Sequence, residues 1–528
     1  REMGLLFQVL LLAHCSVFVK AFSHISDGIN QCSRSPKRIR QRSIHRFKQS
    51  HQWPPRQYST SLHQHENSSV DEEPHPIGLY VHIPYCRRRC RYCNFSIVPI
   101  GNRVSTEPSV LEEGETINPD SKERAAQGFE AMNAQYEEAL LTELHRLSGS
   151  ISQSKNGKIP LQSIYFGGGT PSLAPVETIS KILQHAIGEN GPFYLVNEQT
   201  ACGDNINTAE VSIEMDPGTF TIEKLQKLKD FGFNRISLGV QSFDDTILEH
   251  MGRFHRSSDV FAAVKMIDKV FGEEANYSID LITGVPGLTL AKWAETLQIA
   301  TTQLSPQPSH MSVYDLQIEQ GTVFSSWYQE QDVPIGTSNF NKTLPLPTED
   351  ECASMYKYTA GYLRSKQYEH YEVSSYAYRG TDSDKGKRSK HNQIYWAPSS
   401  SWYAIGVGAT SFVDGRLVAR PKTLVDYYEW LNDNVQSEGF TDEEEKDVLL
   451  SDDELLTELV MKRLRTIDGL DLNLVEDRFG NESASTILEG ATLGLEIGLA
   501  EYDSRTRILR LNDPEGLLFS NSIISSIF

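Results

Sequence analysis

The feature that most constrains this chain is the alternation of short apolar runs with helical patterns between residues 77 and 315. Strand-like runs occupy 78–83, 162–166, 211–215, 235–240, 277–283 and 309–315. Helical stretches near 124–148, 175–187, 221–231, 244–251, 258–271 and 290–303 separate them. Strands joined through helices pair in parallel, so six such units predict a parallel sheet with helices on its outside, wound right-handed. Ligands of such sheets lie at the carboxyl ends of the strands. Local signals agree with this reading. Pro175 fits the first helical position with Glu177 in the first turn, and the stripe Leu225, Leu228, Phe231 stops at Gly232. Thr348 to Glu351 reads as a capping box, opening a helix with Ala353, Tyr356, Ala360 and Leu363 on one face. Residues 98–121, 330–347 and 379–390 read as loops.

Directly after the first run come three cysteines in eight residues, Cys86, Cys90 and Cys93, with Arg87, Arg88, Arg89, Arg91 and Tyr92 between them. Thiolates spaced this way hold three corners of a four-iron, four-sulfur cube, which four cysteines normally hold, so one iron is left open for a substrate. The alternative is a zinc knuckle, but a closed zinc site needs four ligands in paired spacings and no second pair follows. His82 is either a fourth ligand or, by strand alternation, a wall residue. Cys15 and Cys32 fall near the start, and Cys202 and Cys352 stand alone and read as buried free thiols. This usage fits a reducing compartment better than a disulfide scaffold.

The cysteine pattern, CxxxCxxC with Tyr92 before the last cysteine, resembles the signature of the radical S-adenosylmethionine (SAM) superfamily. Further motifs follow in the order of that family: Gly167-Gly-Gly-Thr-Pro171, Ile213-Glu-Met-Asp-Pro217, Gly239-Val-Gln-Ser-Phe243 and Ile279-Asp-Leu-Ile-Thr-Gly-Val-Pro286. Over roughly residues 77 to 515 the chain resembles the oxygen-independent coproporphyrinogen dehydrogenase group and the related HemW-type heme chaperones. The resemblance implies an α/β fold: a partial (βα)6 radical-SAM barrel, open on one side, with a small C-terminal winged-helix-like α+β domain. The implied domains are a core at 77–315, a barrel extension at 316–423 and a C-terminal domain at 424–528. In the last, helical stretches 452–464, 472–479 and 484–497 precede the strand Arg507 to Leu511.

The resemblance also implies cofactors. An open iron would bind SAM, and reductive cleavage would give a 5′-deoxyadenosyl radical; the protein supplies placement and exclusion of water. Family positions that contact SAM fall on Gly168, Gly169, Thr170, Glu214, Gln241, Arg253 and Asp280, and also on Tyr80. Glycines lack Cβ atoms and let backbone polar groups approach a ligand, carboxylates accept from hydroxyl and amino groups, and Arg253 suits a carboxylate. Each of these polar residues is otherwise an ordinary strand-end or surface group, and Tyr80 plain core. The dehydrogenase group carries a further cysteine two residues after the third. Here that slot is Phe95, so dehydrogenase activity is not expected. The heme-chaperone group carries HNxxYW, present as His391-Asn-Gln-Ile-Tyr-Trp396. His391, Tyr395 and Trp396 therefore read either as heme contacts, with imidazole an axial ligand, or as a buried aromatic cluster closing the barrel mouth. His310 and His370 are weaker heme candidates.

The functional expectation is a chaperone that binds a [4Fe–4S] cluster, SAM and heme and delivers heme to an apoprotein, with a separate electron donor for the cluster. The competing expectation is radical decarboxylation of coproporphyrinogen III. With 39% apolar residues the 528-residue chain can bury a substantial core. A formal charge of −20 argues against a nucleic-acid partner. The acidic stretch from Glu438 to Glu458 reads as a solvated face and linker. Residues 1–75 read as a cleavable targeting leader. Leu5 to Val19 is apolar but about five residues short of the roughly 20 that span a membrane, and resembles a signal h-region. Between Phe22 and His65 the only acid is Asp27, against eight Lys and Arg up to Arg56. Such a segment addresses an organelle: Ala21-Phe22 points to a plastid, Arg56 to Thr60 to a mitochondrion. No membrane span is expected in the mature protein.

Overall fold

A computed structural model describes residues 75–528 apart from 102–118, 155–156, 200–204, 208, 329–343, 380–386 and 434–446. The leader and Cys202 lie outside the described residues, as do most of the three expected loops. Every expected core strand forms: β1 (Ile77–Ile83), β2 (Ser163–Gly168), β3 (Glu210–Met215), β4 (Arg235–Gln241), β5 (Tyr277–Thr283) and β6 (His310–Asp315). They pair in parallel in chain order. The crossovers carry α1 (Pro119–Ser154), α2 (Val176–Ile187), α3 (Ile222–Asp230), α4 (Ser257–Phe271) and α5 (Leu290–Thr302). Pro175 is the N-cap of α2, one position before the N1 slot expected of it.

Strand alternation separates two environments. Leu79, Val81, Ile164, Phe166, Val211, Ile213, Ile236, Leu238, Ile279 and Leu281 point outward and are buried under helix residues such as Ile179, Ile182, Leu225, Val264 and Leu297. Fully burying one such aliphatic side chain contributes about 1.5–3 kcal/mol, so this shell is where the apolar stabilisation of the barrel concentrates. Inward positions hold Tyr80, Ser212, Glu214, Ser237, Ser278, Asp280 and Ser312, and these line a cavity of about 560 Å³. Small polar side chains leave the interior open.

Strands between residues 368 and 449 extend this sheet at both edges. The hairpin β7 (Tyr368–Glu372) and β8 (Ser375–Tyr378) adds antiparallel to β6. At the other edge β9 (Ser401–Ile405) lies parallel to β1 and leads into β10 (Thr410–Val413), β11 (Arg416–Ala419) and β12 (Asp447–Leu449), all antiparallel. Both edges of the parallel core are thus covered, which removes two rows of unpaired backbone groups. Among the described residues no ladder joins β7 to β12, so the sheet does not close. The capping box at Thr348 forms as expected and opens α6 (Glu349–Ser365).

A short helix, α7 (Lys390–Trp396), carries the HNxxYW motif. The C-terminal helices Asp452–Arg463, Leu472–Phe479 and Asn481–Gly490 pack on a three-stranded antiparallel sheet with an apolar cluster of their own. Two expectations need correcting here. Glu458 is no solvated residue: it is buried and ion-paired with buried Lys462, whose ammonium lies 4.8 Å from the Trp402 ring centroid. Cys352 is free but only half-buried. No described helix is long and apolar enough to cross a membrane.

Candidate cofactor site

The cysteine loop leaves β1 and is pinned by its own backbone. Tyr85–Cys86 pairs in parallel with Val98–Pro99, the amide of Ile100 donates to the carbonyl of Cys86, and that of Arg91 to Met251. The arginines between the cysteines hold the loop through carbonyl acceptors. Arg89 donates to the carbonyls of Cys93, Phe95 and Ile97 at 3.3, 2.9 and 3.2 Å, Arg87 to Gly218 at 2.7 Å, and Arg88 to Arg253. Cys86, Cys90 and Cys93 are free thiols lining the cavity. Burial pushes the Cys86 thiol up, and Cys93 up to about 11. Bound iron would reverse that, because a coordinating thiol is deprotonated outright. Among the described residues no three His, Cys, Asp or Glu side chains are gathered to hold a single metal ion.

The glycine strip faces this loop. A Cβ on Gly168 would lie 2.4 Å from the His82 ring, and one on Gly169 2.7 Å from the carbonyl of Pro84, so both glycines first make room for the protein itself. Their amides are used internally: Gly168 donates to Glu214 at 3.0 Å, Gly169 to Ile83 at 2.8 Å and Thr170 to Tyr85 at 2.6 Å. What this strip offers a ligand is therefore its carbonyl oxygens, which suit an amino group. His82 is a wall residue, as alternation predicts. Its ring bonds the carbonyl of Ser96 and the Tyr80 hydroxyl at 2.8 and 3.2 Å, and burial lowers it to about 4.

The other expected residues line the same cavity. Glu214 accepts from the Tyr165 hydroxyl at 2.8 Å; burial, then the Asp280 carboxylate, raise it to about 7. Burial likewise raises Asp280 to about 6, against hydrogen bonds from Ser312 and Ser237. Gln241 has φ +64 and follows a register shift in β4, a bulge that turns its side chain inward. Arg253 is ion-paired with Asp216 and sits 3.7 Å from the Cys90 sulfur. Asp216 also accepts from Thr170 at 3.2 Å, and Thr170 in turn reaches the Cys86 sulfur at 3.7 Å. This aspartate joins two expected cofactor residues and received no role from sequence. The one available signal was its place inside the motif Ile213 to Pro217.

HNxxYW divides. Tyr395 lines the cavity; His391 and Trp396 do not. His391 is 1% exposed, with Nδ1 2.7 Å from the Ser163 hydroxyl and Nε2 3.0 Å from the Tyr395 hydroxyl. Both ring nitrogens are therefore engaged, which favours the packing alternative for His391 over an axial heme ligand. The location differs from the expected one: Ser163 and Glu210 begin β2 and β3, so α7 plugs the floor of the barrel and not its mouth. The Glu210 carboxylate caps the helix, accepting from Ser389 and from the amides of Lys390 and His391 at 3.2, 3.0 and 3.1 Å. His370 is also fully engaged, by Asp513 and the carbonyl of Val373.

A parallel βα sheet whose first strand delivers three cysteines to a cavity, opposite a glycine strip and a ring of polar strand-end residues, defines a radical SAM fold. The sequence profile of the radical SAM superfamily matches residues 80–300. The heme chaperone HemW of Synechocystis sp. is 33% identical over 466 residues, 86% of this chain and 96% of that protein. HemW of Bacillus subtilis is 27% identical, covering 76% and 87%. The mouse mitochondrial radical S-adenosyl methionine domain-containing protein 1 is 31% identical, covering 63% and 60%. Among solved structures, coproporphyrinogen III oxidase (HemN) of Escherichia coli superposes with a TM-score of 0.60 over 86% of this chain and 90% of its own, at 20% identity, which is a likeness of fold. The chain belongs to the HemW family of radical SAM proteins.

Proposed function

We propose that the protein is a heme chaperone, holding a [4Fe–4S] cluster and SAM and passing heme to an apoprotein inside an organelle. The observation that carries this reading is similarity along nearly the whole length of a heme chaperone, together with Phe95, 47% exposed, at the slot that would hold a further cysteine in the dehydrogenase group. The mitochondrial relatives support an organelle, and plastid against mitochondrion is decided by locating a tagged full-length chain.

The residues fit the two cofactors. Cys86, Cys90 and Cys93 would hold the cluster, with Arg253 and Thr170 beside two of the sulfurs. The carbonyls of the glycine strip would take the amino end of SAM, and Glu214, Gln241 and Asp280 its polar remainder. When bound and reduced, this pair supplies one-electron chemistry. The chain's own part is placement: Asp216 fixes Arg253 and Thr170, the arginine clamps hold the loop, and the apolar shell keeps water from the barrel wall. Heme, as cargo, would enter the cavity past Phe95 and meet Tyr395.

Two assays test the reading. Ferric heme is titrated into the anaerobically reconstituted protein, and saturable binding is expected; its absence overturns the proposal. The same protein is given SAM, reductant and coproporphyrinogen III, and carbon dioxide formed at catalytic turnover establishes the competing decarboxylase. Cys90→Ser is expected to abolish the visible absorbance of the cluster.

A further inference from the structure

The floor of the barrel, between α7 and the first inward layer of β3 to β6, has an asymmetry in its hydrogen bonding. Its carboxylates are satisfied. Glu210 is used by α7 and lies 3.7 Å from Arg235, Glu372 accepts from Asn392 at 3.2 Å and from the amide of Ser374 at 3.0 Å, and Asp280 accepts from Ser237 at 3.1 Å. Among the described residues, the floor atoms left without a partner include Nη2 of Arg235, Oγ of Ser212 and Nδ1 of His310. All three residues are more than nine-tenths buried and line the cavity. Arg235 and Ser212 are register partners across β3 and β4, and His310 begins β6, two strands away from Arg235.

The three atoms share one character. Arg235 is always a donor. Asn392 donates to the Tyr371 hydroxyl at 3.0 Å, which leaves the single tyrosine proton for Nε2 of His310, 2.9 Å away. A neutral imidazole that accepts at Nε2 carries its proton on Nδ1, and burial with Arg235 nearby keeps this ring neutral. The Ser212 hydroxyl is free to turn either way. Buried donors without acceptors are costly, so such a set is completed by an acceptor-rich group.

We infer that the barrel floor is a carboxylate subsite, formed by Arg235, Ser212 and His310, for an acidic arm of the cavity's cargo. Resting on the heme reading above, that arm is a propionate of the tetrapyrrole. The subsite accounts for a polar, cationic residue under a plug that would otherwise be closed by apolar side chains. It also orders the cavity: the macrocycle edge bearing the acids points to the floor under α7, and the opposite edge to the cysteine loop and Phe95.

The test compares ferric heme with heme dimethyl ester, which lacks the acids, by absorbance titration into wild type, Ser212→Ala and His310→Gln. Ser212→Ala is the cleaner variant, because its hydroxyl has no partner to lose among the described residues. Wild type should prefer the free acid by about tenfold to a hundredfold, the range of one charge-assisted hydrogen bond or more. Ser212→Ala should weaken heme binding several-fold, leave the ester unchanged, and unfold no more easily than wild type. His310→Gln should narrow the same preference. Equal affinity of wild type for acid and ester, or variants that weaken both ligands alike, overturns the subsite and leaves the chaperone reading standing. Failure of wild type to bind heme at all overturns that reading and this assignment together.

Discussion

Replacing Gly168 with alanine tests whether the glycine strip is shaped by the protein's own packing. Gly168 has φ +111, which costs an L residue about 1–3 kcal/mol. The new Cβ would lie 2.4 Å from Cε1 and Nδ1 of His82, roughly 1 Å inside ordinary contact of about 3.5 Å. The imidazole has nowhere to retreat, since it is 5% exposed and bonded at both nitrogens. Overpacking of this kind costs about 1–3 kcal/mol more. The expected loss is therefore about 2–6 kcal/mol, a large part of the roughly 5–15 kcal/mol typical of a folded protein. Urea unfolding followed by circular dichroism under reducing conditions measures it, with equilibrium dialysis of SAM as a second readout. The double variant Gly168→Ala/His82→Ala separates the two contributions: relief of the clash should make it about 1–3 kcal/mol more stable than the sum of the singles. A single variant within about 0.5 kcal/mol of wild type, or strictly additive singles, would refute the argument.

Three further outcomes are expected. Asp216→Ala strips buried Arg253 of its counter-ion and Thr170 of its acceptor. It should cost about 3 kcal/mol, the low end for a broken pair because Asp216 is 28% exposed; an unchanged urea midpoint removes its hub role. Glu214 is raised from 4.5 to about 7, so its stabilising contribution is complete below pH 4.5 and lost as pH rises through 7. Glu214→Gln should accordingly gain on wild type across that window by on the order of 3 kcal/mol, and a stability difference that stays flat from pH 4.5 to 7.5 contradicts the burial argument. His391→Ala should lower thermal stability while leaving the Soret maximum of bound heme in place; a shifted maximum would restore this histidine as a ligand.

Much of the core was legible because its signals are local. Outward residues such as Val81, Ile213 and Leu238 make a period of two that six separate runs repeat. Cys86, Cys90 and Cys93 state their spacing within eight residues. The extension was not legible in this way. Nothing in Ser401 to Ile405 announces that it pairs with β1 more than three hundred residues earlier, because strand partners are chosen by which edge the fold leaves bare.

The amino-acid order by itself therefore determined the parallel βα core, the cluster-type cysteine loop and the set of polar residues at the strand ends, since each depends on neighbours within a few positions. Tertiary structure alone decided the roles of Asp216, His391 and Arg235. One motif residue became the link between Thr170 and Arg253. His391, read as either a heme contact or packing, is spent on Ser163 and Tyr395, and Arg235, outside every motif, keeps an unused donor facing the cavity. A side chain's chemistry is fixed by its type, but whether a nitrogen or oxygen is free to act depends on what distant strands bring against it.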